Sequence, residues 1–360
     1  MSRRFRLVPT TGVYVAFGSS VDRFNPEHAY HGWVFAHSAD TLAQVATYTT
    51  TGGARLGSGI WQSGNGLAAD ERGGIFFLSG NGEPTPAPTA PERQEDSFVK
   101  LSSDLSAVLG QHWPHDVANE FQLTDNDDLD LGSGGPLLVP GLDVVGGGGK
   151  PGKLFVLDRG LVQRQSPFQA FVNSYRPPPG TPTSNYLTDM RLAPNIHGAP
   201  VYWETSDPTR SYFYAWAEKD YLKAFSLDRH TLAVGPTAAV SGTVRGHDDA
   251  MPGGILSLSA NATTAHTGIA WAVIQDPTDT CTLADTAPDQ ERGGACNGIS
   301  QCDALCYTVP GFLYAFDAET LDQLFSDKIM RYSKMTPPTS ASGKLFVATS
   351  DSQVIVYGLR

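Results

Sequence analysis

FLYAFDAETLDQL (312–324) decides the fold, because altered copies of it return along the whole chain. WVFAHSADTLAQV (33–45), SFVKLSSDLSAVL (97–109), KLFVLDRGLVQRQ (153–165) and YLKAFSLDRHTLAV (221–234) share its plan. Each is a short β-rich run, a polar turn holding Asp or Ser, then a second apolar run. Most copies follow a strand with glycine at its edge: GVYVAFGSS (12–20), GGIFFLSGNG (73–82), LDVVGGGGKPG (142–152) and RSYFYAWAEKD (210–220). Self-similarity at this period marks a repeat architecture, and units built of strands alone predict an all-β propeller of four-stranded antiparallel blades.

The repeats divide into five full blades over 5–50, 59–113, 134–172, 196–236 and 252–326, with three further strands in MTPPTSASGKLFVATSDSQVIVYGLR (335–360). Helical periodicity is nearly absent; DLSAVLGQHW (104–113) fits a helix or a strand. The Pro-rich stretches 83–94 and 175–184 read as extended surface loops inside repeats rather than linkers. The expectation is one domain over 1–360, carrying a Cys-rich loop insertion at 276–309. A ring that starts and stops on strands leaves open edges, so either the terminal strands close the ring against each other or, the preferred expectation, the chain is part of a longer, eight-bladed ring.

Composition narrows the function classes. The 360 residues include 38 glycines and 25 prolines, only 17% are charged, and the net charge is −12. No Lys- or Arg-rich tract follows Arg3, Arg4 and Arg6, so the chain lacks the basic stripe that phosphate neutralisation requires and is not expected to bind nucleic acid. No apolar run approaches the ~20 residues that span a bilayer as a helix. The start MSRRFRLVPTTG lacks the apolar centre of a secretory leader. The cysteines point the other way. Cys281, Cys296, Cys302 and Cys306 crowd one polar insertion, which reads as two disulfides made in an oxidising compartment. A Cys₄ zinc site is the rival, although only Cys302 and Cys306 come near its ligand spacing. The protein is therefore expected to be secreted or periplasmic, and monomeric. Asn261-Ala262-Thr263 is an N-glycan acceptor triplet only if the chain meets a eukaryotic secretory lumen.

Several groups could carry chemistry. GIWQSGNG (59–66) sets Trp61 and Asn65 on a glycine-flanked turn, as a stacking face and a polar contact, or as a packed inner strand. His31, His197 and His247 each neighbour glycine, in YHGW, IHGAP and RGHDD. They could be metal ligands or a base, or simply bond backbone across turns. His247 is the preferred base, with Asp248 beside it to orient the ring. DNDDLD (125–130) offers Asp125, Asp127, Asp128 and Asp130 to a hard cation, with Asp128 and Asp130 the preferred ligands; the alternative is a solvated acidic loop. GGGGK (146–150) lacks the phosphate-loop pattern, and Ser58 in GSGIW has no His–Asp pair beside it in the sequence.

AFDAETLDQLF (315–325) resembles the tryptophan-docking repeat A-x-D-x-x-T-G-x-x-x-W of the pyrroloquinoline-quinone-like (quinoprotein alcohol dehydrogenase-like) propellers. Ala315, Asp317 and Thr320 are in register, while Leu321 stands in the glycine place and Phe325 in the tryptophan place. AHSADTL keeps Ala36 and Thr41 and puts Ser38 in the Asp place. Longer phrases, among them GGARLGSGIWQSGNG (52–66), DLDLGSGGPLLVP (128–140), IHGAPVYW (196–203) and AMPGGILSLSAN (250–261), look like a subgroup of secreted quinoprotein-like propellers whose members have further N-terminal blades. The resemblance implies turns tied by the Asp and Thr side chains and an aromatic packed on the neighbouring blade. It also implies a quinone (PQQ) held between a tryptophan and a disulfide of adjacent cysteines, with Ca²⁺ as Lewis acid. This chain has no Cys-Cys pair. Two readings follow: a propeller binding a small molecule or a protein on one face without catalysis, or a PQQ- and Ca²⁺-dependent alcohol or polyol dehydrogenase.

Overall fold

The computed structural model describes residues 6–8, 12–18, 30–51, 57–82, 94–112, 130–150, 152, 154–161, 170–171, 195–205, 207, 210–230, 240–248, 251–280 and 308–358. The four cysteines, Asp125, Asp127, Asp128 and both Pro-rich loops (83–93 and 175–184) lie outside them. The chain divides into two compact units. Of the described residues, one holds those up to Phe171 together with Gly198–Pro200, and the other holds 195–197 and those from Val201 onward.

The first unit contains three blades, each a four-stranded antiparallel meander. Blade 1 is β1 (Arg6–Val8), β2 (Gly12–Phe17), β3 (Trp33–Ser38) and β4 (Gln44–Thr49). Blade 2 is β5 (Ala68–Ala69), β6 (Ile75–Leu78), β7 (Phe98–Leu101) and β8 (Val108–His112), so the ambiguous 104–113 segment ends in a strand. Blade 3 is β9 (Leu137–Leu138), β10 (Val144–Gly148), β11 (Leu154–Asp158) and β12 (Ala170–Phe171).

The second unit repeats the plan. Blade 4 is β13 (Val201–Glu204), β14 (Ser211–Ala215), β15 (Tyr221–Leu227) and β16 (Val240–Arg245); blade 5 is β17 (Ile255–Ser259), β18 (Ile269–Gln275), β19 (Gly311–Asp317) and β20 (Gln323–Ile329). Blade 6 has three strands, β21 (Thr339–Ala341), β22 (Lys344–Ala348) and β23 (Val354–Gly358). Among the described residues, five full blades and a partial one match the reading of the repeats. Blade 4 ends later than the repeats imply: β16 begins at Val240, beyond Gly235-Pro236, a pair that weakens a strand.

Inner strands are apolar on both faces because each face meets a different blade. Ile75 and Phe77 of β6 pack with Tyr14, Val34 and Ala36 of blade 1, while Phe76 and Leu78 pack with Val145, Phe155 and Leu157 of blade 3. In the second unit, Ala270, Ala272 and Ile274 of β18 face Trp203, Tyr214 and Trp216 of blade 4, and Val273 faces Leu345 and Val347 of blade 6. The period-2 alternation of a strand therefore appears in the sequence as an unbroken apolar run such as IFFL.

The polar turn of the repeat is tied as the resemblance implies. Asp317 Oδ1 accepts from the N–H groups of Glu319 (2.8 Å) and Thr320 (2.9 Å), and the Leu321 N–H donates to the Asp317 carbonyl (2.8 Å). The place filled by glycine in the docking repeat is left-handed here too, yet it holds leucine: Leu42 (φ 58°), Leu105 (φ 58°), Leu161 (φ 47°) and Leu321 (φ 57°). Burial explains three of the four. Leu105 joins the core between blades 1 and 2, Leu161 that between blades 2 and 3, and Leu321 that between blades 4 and 5. Leu42 is 68% exposed. Phe325, in the tryptophan place, meets Tyr357 of blade 6 edge-on at 6.0 Å.

The Cys-rich insertion springs from a pinned base. The Asp276 N–H donates to the Pro310 carbonyl (3.0 Å), which closes the loop. The buried Asp276 carboxylate pairs with Lys328 (2.9 Å) and accepts from Thr278 Oγ1 (2.7 Å) and the Thr278 N–H (2.8 Å). Burial opposes its charge, but Lys328 and Thr278 outweigh burial and hold the carboxyl below its usual range.

Replacing Leu42 by glycine removes a left-handed strain of ~1–2 kcal/mol and adds ~0.5–1 kcal/mol of chain entropy, so denaturant melts should show a gain of up to about 1.5 kcal/mol. Leu321→Gly should instead lose about 2 kcal/mol, because it empties a packed site; equal effects at the two positions would refute the plug role of the buried leucine. Asp276→Asn should cost about 1–3 kcal/mol at neutral pH. A depressed carboxyl stabilises the fold above its unfolded pKa of about 3.9, so the gap between wild type and variant should close as the pH falls below about 4.

Candidate functional site

Blade 2 of the first unit begins with a loop that departs from ordinary backbone geometry. Five of the eight residues from 57 to 64 have positive φ: Gly57 (96°), Ser58 (56°), Gln62 (47°), Ser63 (40°) and Gly64 (86°). Three of these are not glycine, and all three are buried. Hydrogen bonds hold them there. Gln62 Oε1 accepts from the Leu78 N–H (2.9 Å), its Nε2 donates to the Asn65 carbonyl (3.2 Å), and Asn65 Nδ2 donates to the Gln62 carbonyl (3.0 Å). The Ser58 N–H donates to the Asn81 carbonyl (2.6 Å) and the Gly80 N–H to the Gly59 carbonyl (2.9 Å). The Ser58 hydroxyl is fully buried with no hydrogen-bond partner among the described residues.

Trp61 sits at the centre of this loop, half-buried, tilted against Tyr30 at 6.2 Å. Its indole occupies space that side chains would otherwise fill. A methyl on Gly18 would come within 2.7 Å of the ring, one on Gly59 within 2.8 Å and one on Gly80 within 2.9 Å. Gly18 follows β2 of blade 1, so the indole seats between blades 1 and 2 and keeps an accessible part. Asn65 is half-buried and directly follows a 3-10 turn (Gln62–Gly64).

Beside this loop lies a set of buried charges. Asp130 Oδ1 accepts from the Asn81 N–H (2.8 Å) and Oδ2 pairs with Lys150 Nζ (2.7 Å). Asp96 (φ 45°) bonds the Leu131 N–H through Oδ1 (3.0 Å), and Glu95 is buried next to it. Asp130 is thus engaged on both oxygens, and the Lys150 ammonium occupies the place a cation would take. Asp128, its expected companion, is outside the described residues, among which no group of three or more His, Cys, Asp or Glu converges as metal ligands. Lys150 was legible only as the end of a glycine run; what it neutralises is 20 residues away in the chain.

Each of the three histidines has a partner within its own unit. His31 Nδ1 contacts the Thr51 hydroxyl, and its ring meets Trp33 edge-on at 6.2 Å, all within the first unit. In the second unit, His197 Nε2 lies 2.7 Å from Glu218 Oε1, and both side chains are buried (2% and 9% exposed). Asn195 Nδ2 donates to the other Glu218 oxygen (3.1 Å). Nothing in the sequence pointed to Glu218, which lies in the turn from β14 to β15, far along the chain from the histidine it faces. His247 Nε2 lies 2.7 Å from the Asp279 carbonyl. A carbonyl can only accept, so this nitrogen carries the proton and braces the base of the Cys-rich insertion. Asp248, expected to orient His247, is exposed and paired with Arg245. Asp249 is outside the described residues.

No family model matches the chain, and no curated protein matches it. Among solved structures, it is similar to the quinohemoprotein alcohol dehydrogenase from Comamonas testosteroni, at 15% identity and a TM-score of 0.50, over 95% of this chain and 55% of that one. It is also similar to the Dos1 propeller, at 8% identity and a TM-score of 0.51, over 99% of this chain and 69% of that one. The chain therefore spans little more than half the length of the dehydrogenase it matches. At such identities a likeness carries the fold alone, and the fold that both carry is the β-propeller.

Proposed function

We propose that this chain is an exported ligand-binding propeller, and that its binding edge is the loop edge of blades 1 and 2 around Trp61. The observation that carries the reading is the strain at Ser58, Gln62 and Ser63. Non-glycine residues held left-handed cost on the order of 1–3 kcal/mol each and gather at clamps and sites. Here that strain goes with a partly exposed indole, four residues before Asn65 in the same loop. A flat, polar small molecule fits such chemistry: the indole offers a π-face and the Asn65 amide a directional contact. A protein surface docking on the same edge is the other occupant of this class.

The second reading, a quinone-dependent alcohol dehydrogenase, is favoured by the fold match to such an enzyme. The donors described here do not fit its cofactors. Ca²⁺ takes about six to eight oxygen ligands, and Asp130 has both oxygens engaged, one by an ammonium. The four cysteines are nowhere adjacent in the sequence.

The test is a melting-temperature panel of planar aromatic acids, with PQQ included both with and without Ca²⁺. A ligand at about 100 times its Kd stabilises by about 2.7 kcal/mol. We expect at least one acid to stabilise the wild type and to lose most of its effect in Trp61→Ala, with partial retention in Trp61→Phe. Stabilisation by PQQ only with Ca²⁺, joined to dye-linked alcohol oxidation, would transfer the chain to the dehydrogenase reading. Silence across the panel would remove the small-molecule site. The strain has its own check. Ser58→Gly removes both the left-handed side chain and an unbonded buried hydroxyl, so it should stabilise the protein by about 1 kcal/mol. A loss of stability instead would remove the observation on which the site rests.

A further inference from the structure

We propose that Asn261 accepts an N-linked glycan when the chain passes through a secretory lumen, an inference that rests on the exported reading above. Asn261-Ala262-Thr263 is the only Asn-x-Ser/Thr triplet with x other than proline in the 360 residues. It sits on the turn that joins β17 to β18, where Asn261, Ala262, Thr263 and Thr264 are all exposed.

The turn is held by its backbone, which leaves the reacting groups outside. The Asn261 N–H donates to Thr267 Oγ1 (3.1 Å), the Thr264 N–H to the Asn261 carbonyl (3.0 Å), and Thr267 Oγ1 to the Thr264 carbonyl (2.7 Å). Trp203 Nε1 donates to the Ala262 carbonyl (3.0 Å), which helps to fix Ala262 at φ 50°. The Asn261 carboxamide and the Thr263 hydroxyl make no hydrogen bond among the described residues, so a glycan displaces no contact of the fold. Blade 5 adds a second reason. Its Cys-rich insertion leaves from the far end of β18, a strand of seven residues, or roughly 20 Å at ~3.3 Å per residue. A glycan at Asn261 would shield one edge of the blade and leave the elaborated edge open.

The chemistry is a glycosyl transfer without redox change. The Asn261 amide nitrogen attacks the anomeric carbon of a polyprenyl-diphosphate-linked oligosaccharide and a C–N bond forms. The bond from that carbon to the diphosphate oxygen breaks, the amide loses one proton, and the lipid diphosphate leaves. Thr263 supplies the hydroxyl by which the triplet is recognised.

The experiment directs the full chain into the secretory lumen of yeast with a heterologous leader, then maps peptides before and after amidase release of N-glycans. The expected result is a glycopeptide over 261–263 in which amidase treatment leaves an aspartate in place of Asn261. Asn261→Gln and Thr263→Ala should each abolish the modification without shifting the melting temperature. Folded protein from the lumen with unmodified Asn261 would overturn the proposal. A chain retained in the cell is mapped from its lumenal pool, so a failure of export and a failure of the acceptor read separately.

Discussion

A sheet whose two faces are both apolar cannot bury itself, and everything else in this protein answers that constraint. Ile75 and Phe77 need blade 1 while Phe76 and Leu78 need blade 3. No blade is therefore a stable object alone, and stability accrues at the seams between neighbours. The leucines at the polar turns tighten the seams. A left-handed leucine costs ~1–2 kcal/mol more than glycine would, yet a buried leucine recovers ~1.5–3 kcal/mol from water. The exchange favours leucine where a neighbouring blade receives it, as at Leu105, Leu161 and Leu321, and leaves Leu42 as the position where it does not.

The loop edges answer a different demand, the disposal of buried charge. Asp70 pairs with Lys100, Asp130 with Lys150, Asp220 with Lys223 and Asp276 with Lys328, each carboxylate nearly removed from water. A buried charge is tolerated when it is paired and hydrogen-bonded, and here one lysine serves each aspartate. Carboxylates dispersed and neutralised in this way do not leave several oxygens free to share one cation. These four carboxylates are thereby taken up in holding turns, and the loop near Trp61 offers a partly exposed indole and amide carried on buried, strained backbone.

Much of the architecture was legible because it depends on short-range pattern. FLYAFDAETLDQL and its copies specify strand, turn and strand through local propensity and through side-chain bonds two or three residues apart, such as Asp317 to Thr320. Five full blades and a partial one could therefore be counted. The end of blade 4 is less legible, because it depends on pairing of Val240–Arg245 with β15 rather than on the repeat phrase. Single candidate residues were less legible. Trp61 stood out by its glycines, but Gly18, which completes its seat, comes from another blade. His247 was singled out for the aspartate next to it, while its ring turned to a carbonyl 32 residues on.

By itself, then, the sequence determined the class of fold, the blade count and the chemistry of the turns, because alternation, glycine placement and Asp–Thr spacing act within a few residues. Only the tertiary structure decided which lysine meets which aspartate, that Glu218 faces His197, that leucine is tolerated in a left-handed turn, and that the Trp61 loop is strained. Those outcomes depend on surfaces that neighbouring blades bring together, and packing of that range leaves no periodic trace in the chain.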